Sequence, residues 1–144
     1  MATTFDLQIV TPDGQFFSGK AEKVLVRTID GDVCILAKHI DYVTALGMGT
    51  AKITVDGKDR HAACIGGMLS VSGGAVCIAA GTFEWAEDID VERARRARKR
   101  AEERLAAKEK AAAASVQEKH EVELAEAKLK RALVRIGAAG KLGN

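Results

Sequence analysis

The sequence predicts a β-sandwich of about eight to ten short strands followed by an antiparallel two-helix hairpin, and three observations carry that prediction. Eleven of the fourteen glycines and all six aromatic residues lie at or before Trp85, and no glycine occurs from Thr82 through Ile136. Turn dipeptides recur through the first half, whereas good helix formers fill the second. The net charge of +2 is unevenly divided: residues 1–87 carry seven Lys/Arg and ten Asp/Glu, residues 88–144 fifteen and ten, giving −3 and +5. Two units follow, a β domain at 1–87 and a helical domain at 88–144.

In the first unit Phe5, Leu7 and Ile9 alternate with polar neighbours, and Thr11-Pro12-Asp13-Gly14 places proline and glycine where a type I turn favours them. Val24 and Val26 mark another strand, Asp30-Gly31 a turn, residues 33–36 a third strand and 43–46 a fourth. Ala51, Ile53 and Val55 alternate up to Asp56-Gly57, a dipeptide that tolerates the positive φ angles of a tight hairpin. No Asp, Glu, Lys or Arg occurs from His61 to Phe83, which is length enough to span a bilayer. Gly66-Gly67 and Gly73-Gly74 break that run, and Met68, Ser70 and Ser72 alternate with Leu69 and Val71, so it reads as a hairpin of buried strands.

In the second unit Asp88 or Asp90 caps the start of a helix that continues to about Ala114, and Ser115 breaks it and caps a second. The second helix is expected to run to Ile136 and to stop at Gly137 and Gly140. Val91, Ala94, Ala101 and Leu105 share one face of the first helix, while Val122, Ala125, Leu129, Ala132 and Ile136 recur at threes and fours on the second. Alanine buries little area, and at roughly 25 cal/mol per Å² a small-residue seam holds two helices weakly. The hairpin is therefore expected to be marginal, as a conformational switch must be.

Several chemistries are disfavoured. Cys34, Cys64 and Cys77 are odd in number, sit in apolar runs and form no Cys-x-x-Cys pair, so they read as small core residues in a reducing compartment. His39, His61 and His120 are scattered, which argues against a metal site, and no serine or cysteine has the neighbours of a nucleophile. Residues 47–52 imitate a dinucleotide loop, but Lys52 stands in the third glycine's place and no helix follows. The amino-terminal residues lack the basic region and apolar core of a secretory signal, which gives a cytosolic expectation. The basic second unit suits phosphates, nucleotides or acidic protein surfaces, although alternating Lys, Arg and Glu also describe any solvated helix.

The chain as a whole resembles the epsilon subunits of bacterial and chloroplast F-type ATP synthases, whose mitochondrial counterpart is called delta. The resemblance rests on Phe5-Asp-Leu-Gln-Ile-Val-Thr-Pro-Asp-Gly, on Gly31-Asp-Val-Cys-Ile-Leu-Ala-Lys-His39, and on Gly66-Gly67-Met-Leu-Ser-Val. It rests above all on Glu87-Asp-Ile-Asp-Val-Glu-Arg-Ala94 leading into Lys99-Arg-Ala-Glu-Glu-Arg-Leu105. It implies a noncatalytic central-stalk subunit, with no catalytic residue, no required cofactor and no metal. The implied partners are the gamma subunit, the c-ring of the membrane sector and, when the hairpin extends, the alpha and beta subunits. The implied work is coupling of proton-driven rotation to ATP synthesis and inhibition of ATP hydrolysis. The implied location is the cytoplasmic face of the bacterial inner membrane, or the stromal thylakoid face in a plastid. Independently of the resemblance, the residues also admit a β-sandwich adaptor whose basic hairpin binds an acidic protein or nucleic acid.

Some members of that family bind ATP through a motif of Ile or Leu, Asp, two free positions, Arg and Ala, which Ile89, Asp90, Arg93 and Ala94 match. Arg100 follows Arg93 by seven and shares its helix face, and Arg131 and Arg135, four apart, share a face of the second helix. Arg131 and Arg135 resemble the basic residues that complete such sites and Glu84 matches a position that contributes to them, so the resemblance implies a candidate site for ATP as a regulatory ligand, its magnesium dependence left open. Asp90 or nearby backbone would accept from the adenine amino group and the guanidinium forks would meet phosphate oxygens. The plainer alternative is Asp90 as helix cap and Arg93 as a solvated or Glu-paired cation. One departure stands out: where relatives commonly show Pro-Gly-His-x-Pro, this chain has Ala37-Lys38-His39-Ile40-Asp41. That loop and Asp32 resemble the region that approaches the c-ring, so its rigidity is open.

Overall fold

Period-two alternation sends Phe5, Leu7 and Ile9 of β1 (Phe5–Thr11) to one side of the strand, and all three are buried in the core. The computed structural model describes residues 3–110 and 116–140. Six further strands follow: β2 (Gly14–Ala21), β3 (Lys23–Thr28), β4 (Gly31–Leu36), β5 (Tyr42–Val55), β6 (Lys58–Ser72) and β7 (Ala75–Trp85). A single 3-10 turn, Ala86–Asp88, leads into α1 (Val91–Lys110) and α2 (Val116–Gly140). The seven strands make one sheet in the order β2-β1-β7-β6-β5-β3-β4, antiparallel except for the parallel β1–β7 pair. One core collects inward side chains from both ends of that order, Leu7 and Ile9 from β1 with Val24, Val26 and Ile35 from β3 and β4, so the sheet wraps on itself.

Seven strands stand where eight to ten short ones were expected, because two glycine-rich breaks are bends within long strands. The expected strands at 43–46 and 51–55 are both parts of β5, and β6 continues through Gly66-Gly67. Gly49 admits no side chain, since a Cβ there would lie 2.5 Å from the Arg27 Cβ, and it sits where the β3–β5 register shifts. Gly67, at φ +120°, would put a Cβ 2.1 Å from the Ala79 carbonyl oxygen. The Asp56-Gly57 hairpin is as expected, with φ of 51° and 74°. Of the three cysteines only Cys64 is a core residue, its thiol pushed up to about 12 by burial; Cys77 is half-buried and Cys34 is exposed on β4, contrary to expectation.

The helices behave as a pair with a thin seam. Asp90 caps α1, its Oδ1 accepting from the Arg93 amide at 3.0 Å. Early α1 residues share a cavity wall with late α2 residues, so the two run antiparallel. Ala94, Ala101, Ala125 and Ala132 are buried between them, while Val91, Leu105, Val122, Leu129 and Ile136 are only half-buried. The second helix runs through Gly137 to Gly140 instead of stopping, because its last turns are packed: Ala138 is fully buried against Ala63 of β6 and Ile89. The cap expected at Ser115 and the helix residues 111–114 lie outside the described residues. No helix among the described residues is long and apolar enough to cross a membrane.

Candidate functional site

The outward faces of β5 and β6 carry α2, and the space between sheet and helices is where the predicted residues meet. Phe83 and Trp85 point into the core, so Thr82 and Glu84 face outward; Ala62 and Cys64 point inward, so Ala63 and Ile65 face the hairpin. The Ala86–Asp88 turn brings the chain off β7, and Ile89 anchors it beside Ala63 and Ala138 before Asp90 opens α1.

Seven of the eight predicted residues, Glu84, Ile89, Asp90, Arg93, Ala94, Arg100 and Arg135, line one cavity of about 450 Å³, together with Asp88, Ala97 and Ala132. The eighth, Arg131, lines a second cavity of about 620 Å³ that shares Ala97, Arg100 and Arg135 with the first. Residues from β7, α1 and α2 are therefore all needed to enclose the space, and both volumes suit a small-molecule ligand. Ala97, Arg104 and Lys128 were not singled out from sequence and Asp88 only as a candidate helix cap, although Ala97 lies four residues after Arg93 and Arg104 four after Arg100.

Two contacts hold the cavity walls. Arg135 donates to Glu84 Oε1 from Nε at 3.1 Å, with Nη2 at 3.0 Å from the same oxygen, which ties α2 to β7 across the cavity. On the neighbouring edge Arg60 of β6 stacks over the Trp85 ring at 3.8 Å and donates from Nε to Glu87 at 2.6 Å, clamping the turn that launches α1. Burial raises the Glu87 carboxyl, but the hydrogen bond from its own backbone amide and the Arg60 guanidinium outweigh that and hold it below its ordinary range. Asp90 spends one carboxylate oxygen on its cap and still borders the cavity, so capping and ligand contact are compatible.

Asp32 and His39 are not brought together. Asp32 pairs with Arg27 at 2.6 Å near the start of β4, and His39 comes after the other end of that strand, whose span from Asp32 to Leu36 is on the order of 13 Å at about 3.3 Å per residue. His39 donates from Nδ1 to the Ile40 carbonyl at 2.7 Å. The altered loop is tied in another way than by prolines: Asp41 accepts from the Gly73 amide at 2.9 Å, fastening it to the β6–β7 turn.

A wrapped β domain whose outer face carries a carboxy-terminal helical hairpin, with a basic cleft between them, defines a two-part class of subunit, β domain first and hairpin second. The chain matches the beta-sandwich domain of the ATP synthase delta/epsilon chain over residues 4–86 and the long alpha-helix domain of that chain over 87–140. It is 39% identical over 140 residues to the ATP synthase epsilon chain of Shouchella clausii, covering 97% of this chain and 98% of that one. It is also 39% identical over 142 residues to the epsilon chain of Caldanaerobacter subterraneus subsp. tengcongensis, covering 98% and 97%. In fold it is similar to a chain of the Euglena gracilis mitochondrial ATP synthase, with a TM-score of 0.72, 21% identity, and 90% of this chain and 79% of that one covered. The chain belongs to the ATP synthase delta/epsilon family, as a noncatalytic central-stalk subunit of the epsilon kind.

Proposed function

We propose that this subunit binds gamma and the c-ring through its β domain, couples rotation to ATP synthesis, and restrains ATP hydrolysis through a hairpin that ATP holds against the sheet. The observation that carries the regulatory part is the cavity itself, which exists only while β7, α1 and α2 are together. A ligand seated there stabilises the docked hairpin and not the extended one, by about 2.7 kcal/mol at one hundred times its dissociation constant. That is comparable to what a thin alanine seam supplies. Arg93, Arg100, Arg131 and Arg135 would hold the phosphates, and Asp90 with adjacent backbone would accept from the base. ATP is a sensed ligand in this reading, not a substrate.

The rotor partners fit the other end of the β domain. Val43 and Met68 are exposed on the outward face beyond the hairpin, and Ile40 is exposed in the loop fastened to Gly73. We assign the Val43–Met68 face to gamma and the His39 loop to the c-ring, with alpha and beta met by the extended hairpin, at the cytoplasmic side of the membrane. Family membership favours this over a free-standing adaptor for acidic proteins or nucleic acid.

Calorimetry with ATP on the wild type and on Arg93→Ala, combined with a distance probe between the β domain and α2, tests binding and switching together. ATP binding that draws α2 onto the sheet in the wild type and is weakened in Arg93→Ala is expected. Equal affinities would remove the sensor. Failure to co-purify with gamma would remove the rotor assignment.

A further inference from the structure

The β4–β5 loop, residues 37–41, contains neither proline nor glycine, and the β6–β7 turn is Gly73-Gly74. Neither segment is stiffened by its composition. Tyr42 pairs with Val71 and Ser72 with Ala75, so loop and turn leave the same end of the sheet. A contact between residues 32 apart in the chain joins them, the Gly73 amide donating to Asp41 Oδ1 at 2.9 Å.

The loop has a conformation that needs such support. Lys38 takes a φ of 62°, in the left-handed region where a side chain is strained, and that conformation persists only where the surroundings fix it. Ala37 and Tyr42 fix the two bases by packing against the core, the His39 ring lies 5.8 Å from that of Tyr42, and His39 Nδ1 donates to the Ile40 carbonyl. Those polar and ring contacts stay within the loop and its flank, whereas the Asp41 bond ties it to a different pair of strands. Ile40 is left 77% exposed on this fixed segment. An apolar side chain carried on an ordered loop loses less conformational freedom on binding than one on a loose loop.

We propose that Asp41 is a positioning residue for the rotor contact: its bond to Gly73 makes the β4–β5 loop and the β6–β7 turn one platform that presents Ile40 to the c-ring. The inference rests on the assignment of the His39 loop to the c-ring and names the residue that sets that loop's geometry. Asp41 acts through Ile40. The cleft under the hairpin draws on Ile65 and residues 81–84, further along the same strands, so the strap and the cleft are separate devices.

The test uses full-length Asp41→Ala, Asp41→Asn and Ile40→Ser, each as the isolated subunit and assembled into the whole synthase. Amide exchange at Gly73 reads the strap, co-purification with gamma reads the other surface of the β domain, and ATP synthesis under a proton gradient reads the rotor contact. Asparagine keeps an acceptor oxygen and sheds the charge. Asp41→Ala should speed Gly73 exchange by roughly two- to tenfold, as loss of one hydrogen bond does. It should also lower ATP synthesis, as Ile40→Ser does, with gamma still bound, while Asp41→Asn keeps both exchange and synthesis near the wild type. Unchanged Gly73 exchange in Asp41→Ala overturns the proposal. Faster exchange with wild-type synthesis, while Ile40→Ser is impaired, overturns it too and leaves the c-ring assignment standing. Asp41→Asn that keeps Gly73 protected yet loses synthesis also overturns it, because charge and not position would then matter. Wild-type synthesis in both Asp41→Ala and Ile40→Ser overturns the proposal and the c-ring assignment together.

Discussion

Leu69 and Ala132 are both buried, yet they belong to differently built interiors. The β core is filled by Leu7, Ile9, Ile35, Ile53, Leu69 and Ile78, each essentially inaccessible, whereas the fully buried positions of the hairpin seam are all alanine. A large aliphatic side chain contributes about 1.5–3 kcal/mol on burial and an alanine far less. One chain therefore carries a strongly determined scaffold and a weakly held appendage on it. The appendage is therefore expected to loosen before the scaffold unfolds.

The sharpest way to break that comparison is to weaken each region in turn. Leu69→Ala should lower stability in urea by about 2–5 kcal/mol, with strand and helix signals falling together. Ala132→Gly should cost about 1 kcal/mol and act locally, speeding hydrogen exchange in α2 while β6 keeps its protection. Equal loss of protection in β6 and α2 after Ala132→Gly would make the two regions one cooperative unit.

Within the scaffold, Gly67 and Gly73 give a second contrast. Both have positive φ, but a Cβ at Gly67 meets the Ala79 carbonyl and one at Gly73 meets nothing within 4 Å. Gly73→Ala should therefore cost about 1 kcal/mol of backbone strain, and Gly67→Ala clearly more. Midpoints in urea that fall equally would mean β6 and β7 part freely at the bend.

The same glycines explain what the sequence left hidden. Period-two alternation made the strands legible, but Gly49 and Gly67 read as strand ends when they are bends, because a glycine that admits a crossing Arg27 side chain or a close carbonyl looks like one that ends a strand. Gly137 misled in the same way: burial of Ala138 outweighs the glycine penalty and carries α2 on. At the site, Ile89, Asp90, Arg93 and Ala94 were legible as a motif. Arg104 and Lys128 were not, since α1 alone has six arginines between Arg93 and Arg104 and only packing tells which of them face the sheet. Asp32 and His39 looked close in sequence, but β4 runs between them.

A smaller effect comes from the Arg135–Glu84 pair, which among the described residues joins hairpin to sheet. Both side chains are about a third exposed, at 29% and 35%, so solvent screens them and the pair contributes less than about 1 kcal/mol. Arg135→Gln should raise exchange rates in the last turns of α2 a few-fold. Added salt should produce the same change in the wild type and little further change in the variant. A response in β6 instead would show that the pair supports the scaffold.

The smallest effect concerns acid. Glu87 has a folded-state pKa held below its ordinary value of 4.5, so its contribution is present in full above that value and is lost as pH falls through the lower, folded value. Its side chain is 39% exposed, which keeps that contribution under about 1 kcal/mol. Glu87→Gln should therefore be slightly less stable than the wild type at pH 7, and the two should converge as pH drops below 4.5. Arg60→Gln should show the same convergence with a larger residual difference, since it also loses the contact over Trp85, which titration does not touch. Because Arg60 and Glu87 clamp the turn between β7 and α1, the loss should appear first as exchange at residues 86–89. A pH-independent gap for Glu87→Gln would mean that the carboxylate charge does not hold the turn.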